Sequence, residues 1–262
     1  MPNLADPQGL RVVSFNLRYA TADDGDQSWP HRKAVQFQTV RGSQAHLVGT
    51  QEGLHEQLLE IASACPGYDW IGKSRRGSQE DEFNAIFYAR EAVKPLKTGD
   101  FWLSERPDEP GSSSWGSSLP RMACWTLSRW KEETFLFANC HLDHVSEEAR
   151  RKGAALLLER CRDLAEGFPV VLTGDFNALP GSETYRILCG SSSYLKDALL
   201  AAERAEGPRE TFHAFTGKGR GRIDWILVSR ELHVGRMITV AKEEAGVYPS
   251  DHFPIQADLR FR

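Results

Sequence analysis

Apolar positions along this chain recur in two rhythms: short β-branched or aromatic runs of strand length, and longer stretches with apolar residues every three or four positions. Residues 10–16 (Leu-Arg-Val-Val-Ser-Phe-Asn) predict a strand. Residues 29 to about 44 predict a helix with Pro30 in its first turn, where a missing N–H costs nothing. A short strand at 45–50 and a helix from about 54 to 65 follow, then a block of strands at 68–72, 84–89, 93–103, 122–128 and 134–140. Ser146 has the chemistry of an N-cap, with Glu147 and Glu148 at the positive end of the helix dipole. Leu157 and Cys161 continue that helix at the right spacing, and Gly167 is a natural stop. Beyond it lie a buried strand at 170–175, a short helix at 182–189 and strands at 223–229, 234–240 and 255–261. Strands outnumber helices and many neighbours are close in sequence. The pattern therefore predicts an α/β (α+β) fold with mixed or antiparallel sheets covered by helices, not a purely parallel sheet.

Composition changes this picture little. At 262 residues, without a linker, repeat or low-complexity tract, the chain reads as one large domain spanning 1–262. Residues 107–118 (PDEPGSSSWGSS) are the exception and read as one long, mobile loop, a kind of segment that is often functional. A formal net charge of −4 disfavours stable, phosphate-driven binding of long duplex DNA. The five cysteines (Cys65, Cys124, Cys140, Cys161, Cys189) are odd in number and form no CxxC pair, which argues against a disulfide framework or zinc site. Residues 1–9 are polar and lack the apolar core of a signal peptide, and no apolar stretch approaches the roughly 20 residues that span a bilayer. These features predict a cytoplasmic monomer without a membrane partner.

The chemistry lies at the ends of predicted strands. Val170-Val171-Leu172-Thr173 runs into Gly174-Asp175-Phe176-Asn177, placing a carboxylate and an amide where a rigid strand opens into a loop. Taken alone this is also an ordinary turn, since Gly, Asp and Asn are turn residues. Asn16, Glu52 and His141 likewise follow apolar runs, and Asp251-His252 precedes Phe253-Pro254-Ile255. Each has a plain alternative: Glu52 as a helix-start carboxylate, Asn16 as a turn residue, His141 and His144 as a loop pair. Asp224 is harder to dismiss. Flanked by Ile223, Trp225 and Ile226, it must be paired or bear a large desolvation penalty, and an imidazole is the obvious partner.

These motifs, in this order, resemble the endonuclease/exonuclease/phosphatase superfamily of divalent-metal phosphoesterases. The matching segments are Asn16-Leu17-Arg18, Gln51-Glu52, His141-Leu142-Asp143, Gly174-Asp175-Phe176-Asn177, Arg222-Ile223-Asp224-Trp225 and Ser250-Asp251-His252-Phe253-Pro254. Each is weak alone; the ordered set, covering essentially the whole chain, is highly specific. Ser28-Trp29-Pro30-His31-Arg32-Lys33 and Thr211-Phe212-His213-Ala214-Phe215-Thr216 are similar to segments of the bacterial branch near the deadenylase-like group. The resemblance implies a four-layer sandwich of two mixed sheets flanked by helices, with the site at one end of the sheets.

It also implies roles. Glu52 is the main metal ligand, with Asn16 and Asp251 assisting directly or through water. Oxygen donors of this kind suit Mg²⁺ or Mn²⁺ rather than zinc. Asp175 orients or deprotonates the attacking water, Asn177 holds water or phosphate, and His141 and the His252–Asp224 pair stabilise the developing charge. Whether Asp175 or His252 is the base stays open at this level. Arg32 is the first candidate for a phosphate contact, with Lys218 and Arg220 in the Gly-rich loop 217–221 next. The run Lys73, Arg75, Arg76 is blunted by Glu80, Asp81 and Glu82 and reads as mostly surface, whereas Trp115 and Arg121 bracket the Ser-rich loop as candidate pocket residues. The implied substrate is a phosphate ester, either a small monoester or diester or the end of a single-stranded nucleic acid. A nuclease of the same chemistry and an inactive scaffold on the same fold are the alternatives. The first would show a continuous basic groove through Arg32, Lys218 and Arg220; the second would have lost Glu52, Asp175 or His252, and none is lost.

Overall fold

The computed structural model describes residues 9–262, so the polar stretch 1–8, on which the absence of a signal peptide was read, lies outside the described residues. The strands are β1 (Leu10–Asn16), β2 (Leu47–Gly53), β3 (Tyr68–Ser74), β4 (Phe83–Ala89), β5 (Val93–Trp102), β6 (Met122–Trp130), β7 (Glu133–His141), β8 (Val170–Asp175), β9 (Leu195–Asp197), β10 (Arg204–Glu206), β11 (Asp224–Ser229), β12 (Leu232–Thr239) and β13 (Ile255–Phe261). The helices are α1 (Trp29–Ser43), α2 (His55–Ala64), α3 (Glu147–Leu164), α4 (Glu183–Cys189) and α5 (Ala198–Ala201). One sheet runs β10-β12-β13-β1-β2-β4-β3 and the other β5-β6-β7-β8-β11-β9. Pairings β1–β2 and β7–β8 are parallel while β1–β13, β2–β4, β6–β7 and β8–β11 are antiparallel, so both sheets are mixed as predicted.

Side-chain alternation explains the layering. Leu10 and Val12 of β1 face the second sheet, in a core with Phe135, Phe137, Val171 and Ile226. Val13 and Phe15, one step out of phase, face Val40 of α1 and Leu58 and Ile61 of α2. On the other sheet Leu136, Ala138 and Leu172 turn outward onto Leu157 and Cys161 of α3 and Leu188 of α4. Both faces of the central strands are covered, which is why they read as continuous apolar runs rather than as alternation. The result is the expected sandwich of helices, sheet, sheet and helices. Among the described residues no helix is long and apolar enough to cross a membrane.

A polar bridge joins the sheets beneath one end. Gln51 Nε2 donates to Asn139 Oδ1 at 2.6 Å, Asn139 Nδ2 donates to the Thr50 carbonyl at 2.8 Å, and Thr173 Oγ1 donates to the same Asn139 oxygen at 3.2 Å. Gly49 makes room for it: a Cβ there would overlap Thr173 Oγ1 and lie 2.6 Å from Asn139 Oδ1. Buried polar groups linked in this way lock the relative position of β2, β7 and β8, the strands that carry Glu52, His141 and Asp175.

Three features differ from the sequence reading. The short elements β9, α5 and β10 were not foreseen, because three or four residues are too few to display a period. Ser146 caps α3 by accepting from Ala149 N, but the helix ends at Leu164, and Glu166 at φ 52° shares the left-handed turn with Gly167. The segment 107–118 is not free. Its serines hold it: Ser112 Oγ donates to the Arg106 carbonyl, Ser117 and Ser118 hydroxyls donate to Asp143, and Ser146 Oγ donates to the Trp115 carbonyl. The hydroxyls that suggested a flexible tract are its fastenings.

Candidate active site

Topology brings the strand-end residues together. β1 and β2 are parallel, β7 and β8 are parallel, and their C-terminal ends deliver Asn16, Glu52, His141 and Asp175 to one edge of the sandwich. Antiparallel β11 starts there, with Asp224 opposite Asp175 in register, and Asp251-His252 arrives just before antiparallel β13. The predicted set thus converges on a cleft of about 790 Å³.

Asp175 is its centre. The carboxylate is 2% exposed; Oδ2 accepts from Asn16 Nδ2 at 3.0 Å and lies 3.5 Å from His141 Nε2 and 3.9 Å from His252 Nε2. Its Oδ1 accepts from the Asn177 backbone at 2.9 Å, and Asn177 itself is left-handed at φ 46°. Asn177 Nδ2 in turn reaches His141 Nε2 and the Leu142 carbonyl, both at 3.1 Å. Asn16 is an amide bridge, because the same Nδ2 also donates to Glu52 Oε1 at 2.9 Å. Glu52 occupies an irregularity in the β2–β4 ladder and has φ 64°. A left-handed residue at a bulge re-aims its side chain, and such strain gathers at functional sites.

The foreseen buried pair is present. His252 Nδ1 and Asp224 Oδ2 are 2.9 Å apart, with side chains 6% and 1% exposed. Burial alone would press the imidazole toward neutrality. The Asp224 carboxylate, by charge and hydrogen bond, with Asp175 and Asp251 behind it, reverses this and holds His252 well above its ordinary pKa. His141 goes the other way: burial, then the charges of Arg121 and His252, keep it neutral. Burial and the charge of Asp224 push Asp175 up to about 7, in the range of a working general base.

The donor set suits a divalent cation. Glu52 Oε2 is buried without a partner while its other oxygen is taken by Asn16, and Glu52, His141 and Asp175 present ligand atoms within 4.8 Å of one another. An uncompensated carboxylate oxygen in a buried acidic cluster is costly unless a cation meets it. Asp251 lines the same cleft, 8% exposed, with Arg18 Nε 4.0 Å from its Oδ2.

The candidate phosphate contacts fare differently. Arg32 does not face the cleft. It is fully buried, and its guanidinium donates to the carbonyls of Leu17, Arg18, Tyr19 and Pro249. Burial draws its pKa down to about 10. It ties the segments bearing Arg18 and Asp251 to α1, assisted by Gln36, which donates to the Leu17 and Pro249 carbonyls. Lys218 and Arg220 are exposed and do not line the cleft, so with Arg32 they form no continuous basic groove.

The arginines that do line it are Arg18, Arg75 and Arg121. Arg18 is clamped by Asp24 through Nε at 3.1 Å and Nη2 at 2.8 Å. Arg75, read as mostly surface, instead bonds Glu82 at 2.6 Å and Asp81 at 2.9 Å along one wall. Burial first, then the charge of Glu52, lifts Glu82 to about 7. Trp115 lies outside the cleft, its indole donating to Glu105 at 3.1 Å, whereas Arg121 is inside it, as foreseen. Asp143 is structural. Against the cost of burial, the backbone N–H of Ser146 and the hydroxyl of Ser118 hold its pKa near about 2.

The segment Thr211–Thr216 forms the rear of the site. Thr211 Oγ1 accepts from the backbones of Ile223 and Asp224, and the His213 backbone donates to the Asp251 carbonyl. His213 itself is fully buried, stacked on Phe253 at 3.9 Å between ring centroids. Burial depresses its pKa to about 4, so the folded protein keeps it neutral where the unfolded chain takes up a proton. Its contribution to stability is complete above about pH 6.5 and is lost as pH falls toward 4, up to roughly 3 kcal/mol. Melting curves of wild type and His213→Gln between pH 7 and 4 check this. The wild type should lose more stability across that window; parallel slopes would refute the assignment.

Comparison with known proteins agrees with this geometry. Residues 13–252 match the model of the Endonuclease/Exonuclease/phosphatase family. A mannosyl-6-phosphatase of Bacteroides thetaiotaomicron is similar in structure, with TM-score 0.92 and 35% identity over 97% of this chain and 100% of that one. A functionally unknown conserved protein of Enterococcus faecalis gives TM-score 0.89 and 30% identity, covering 97% of this chain and all of the other. Human nocturnin is 32% identical over 120 residues, 40% of this chain but only 28% of that protein's length. With a family match that takes in all but the margins of the chain, and the site residues assembled at one sandwich edge, this chain belongs to the endonuclease/exonuclease/phosphatase family of phosphoesterase hydrolases.

Proposed function

We propose that this protein is a divalent-metal-dependent phosphohydrolase that releases phosphate from a small phosphate ester by in-line attack of water. The observation that carries the reading is the position of Asp175, set between the Asn16–Glu52 pair and the His252–Asp224 pair. The mannosyl-6-phosphatase at 35% identity favours a monoester. Glu52 is the principal cation ligand, with Asn16 and Asp251 beside it and His141 and Asp175 within reach, and carboxylate and amide oxygens of this kind favour Mg²⁺ or Mn²⁺. When bound, the ion neutralises charge on the phosphate oxygens.

The chain's own groups divide the rest. Asp175, with its raised pKa, takes the proton of the attacking water, whose oxygen bonds to phosphorus as the bond to the leaving alcohol breaks. The alcohol oxygen carries away the electron pair and gains a proton from solvent or from an acidic group of the cleft. Protonated His252 donates a hydrogen bond to the charge that builds on phosphorus-bound oxygen, and Asp224 holds that ring charged and oriented. Neutral His141 and the Asn177 amide hold the opposite oxygen. Because both sheets supply these groups, we treat 1–262 as one catalytic domain, and we propose that it acts as a monomer. The five unpaired cysteines favour the reducing cytoplasm.

Turnover of p-nitrophenyl phosphate and bis-p-nitrophenyl phosphate with Mg²⁺, Mn²⁺ and EDTA tests the proposal. EDTA should abolish activity and Mg²⁺ or Mn²⁺ restore it, with the monoester preferred. Glu52→Gln should raise the half-saturating Mg²⁺ concentration at least about tenfold. An unchanged titration curve would show that another group holds the ion.

A further inference from the structure

The wall that carries Arg75 sets one arginine among three carboxylates. Along it Arg75 Nη1 meets Glu82 at 2.6 Å and Nη2 meets Asp81 at 2.9 Å, and Glu80 joins them in lining the cleft. Arg121 sits beside this wall, 5% exposed, its Nη2 at 2.9 Å from His144 and its Nε 3.8 Å from the Asp143 carboxylate, too far for a hydrogen bond. A small niche lined by Arg75, Glu82, Arg121 and His141 joins the wall to the catalytic centre. Phe212 also lines the cleft, its half-buried ring 5.0 Å from that of His252.

Resting on the phosphohydrolase reading, we propose that Arg75, Asp81 and Glu82, with Arg121, bind the hydroxyls of a neutral polyhydroxylated leaving group, so that the substrate is a sugar phosphomonoester. A hydroxyl both donates and accepts, whereas a phosphate or carboxylate only accepts. Arginine interleaved with carboxylates offers both complements at hydroxyl spacing. A second phosphate on this wall would find Arg75 already engaged by two carboxylates and Glu80 close by, and would leave those oxygens facing like charge. Nucleic-acid strands and bisphosphates carry such a second phosphate. Phe212 provides an apolar face for the C–H side of one ring, which completes a pocket of few placed polar groups on an apolar support. Sites built to bond hydroxyls reject analogues that lack them, so the wall governs selectivity and not only affinity.

The test is a substrate panel on the wild-type protein with Mg²⁺: a hexose 6-phosphate, a hexose bisphosphate, a nucleoside 5′-monophosphate, a 5′-phosphorylated oligonucleotide and p-nitrophenyl phosphate. The hexose 6-phosphate should give the highest kcat/KM, at least tenfold above the bisphosphate. Glu82→Gln and Asp81→Asn, each checked for a cooperative melt, should lower the ratio of hexose 6-phosphate to p-nitrophenyl phosphate kcat/KM at least tenfold, chiefly through KM. A ratio that does not move in either variant overturns the proposal. So does a preference for the bisphosphate or the oligonucleotide, which would leave the phosphohydrolase reading standing. Absence of metal-dependent turnover across the whole panel removes both.

Discussion

Replacing Asp175 by Asn should reduce kcat at least about a thousandfold while leaving the fold intact, since a positioned base contributes roughly 10²–10⁴ and here it also organises its neighbours. The amide is isosteric with the carboxylate. Its single oxygen can keep the bond from the Asn177 backbone while the bond from Asn16 Nδ2 is given up, a loss offset in part because burial already works against the charge. What it cannot do is take a proton from water. The substitution also removes a negative charge 3.9 Å from His252 and 3.5 Å from His141, so the amide lowers the electrostatic support for the imidazolium as well as the base itself. Single-turnover rates with a cooperative melt and an unchanged Mg²⁺ titration would place the loss in the chemical step, and the pH at which His252 titrates in the variant would separate loss of the base from loss of support for the imidazolium. Near-wild-type turnover would remove Asp175 from the mechanism and leave His252 as the base.

How much of this was readable from sequence depends on whether a residue acts locally or through topology. The strand-end residues were legible because apolar runs of strand length stop at Asn16, Glu52, His141 and Asp175, and Asp224 betrayed itself by its apolar flanks. Arg32 misled for a physical reason. Helical spacing gives a cation a face but not a partner, and the carbonyls of Leu17, Arg18, Tyr19 and Pro249 that receive it come from segments remote in sequence. Arg75 was hidden by the acidic run after it. Those acids are its partners, and only the sheet order reveals where they lie. β4 pairs antiparallel with both β2 and β3, so β3 runs with β2 and the loop after Ser74 emerges at the same edge as Glu52. By the same logic β6 is antiparallel to β5 and β7, and the loop after Trp102 therefore opens beside His141, which explains why Arg121, already a pocket candidate from sequence, lines the cleft. Residues at strand ends could be found one at a time, while cleft walls required knowing which strands run together.

The pair behind the site should be the most sensitive part of it to truncation. In Asp224→Ala, His252 loses both the acceptor for Nδ1 and the charge that offsets its burial, inside a site where its side chain is 6% exposed. Removing one partner of a buried ion pair typically costs about 3–5 kcal/mol, and the loss of an oriented, charged donor should lower kcat by a further factor of about 10²–10³. The sign with pH follows from the direction of the shift. His252 is held well above its unfolded value, so the pair's contribution is fully present below about pH 6.5 and fades only as pH rises through the folded pKa. The stability gap between wild type and Asp224→Ala should therefore be widest in mildly acidic buffer and narrow toward alkaline pH, which denaturant midpoints at pH 6 and 9 would measure. Asp224→Asn separates the two functions of the carboxylate, because its amide oxygen still accepts from Nδ1 but supplies no charge. That variant should keep the geometry of the contact yet be less stable than wild type at pH 6, where the charge counts fully, and should lose activity at lower pH than wild type as the imidazolium gives up its proton. Equal stability of all three proteins at pH 6 would show that the His252–Asp224 contact is not a charged pair, and protonated His252 would then drop out as the donor to the reacting phosphate.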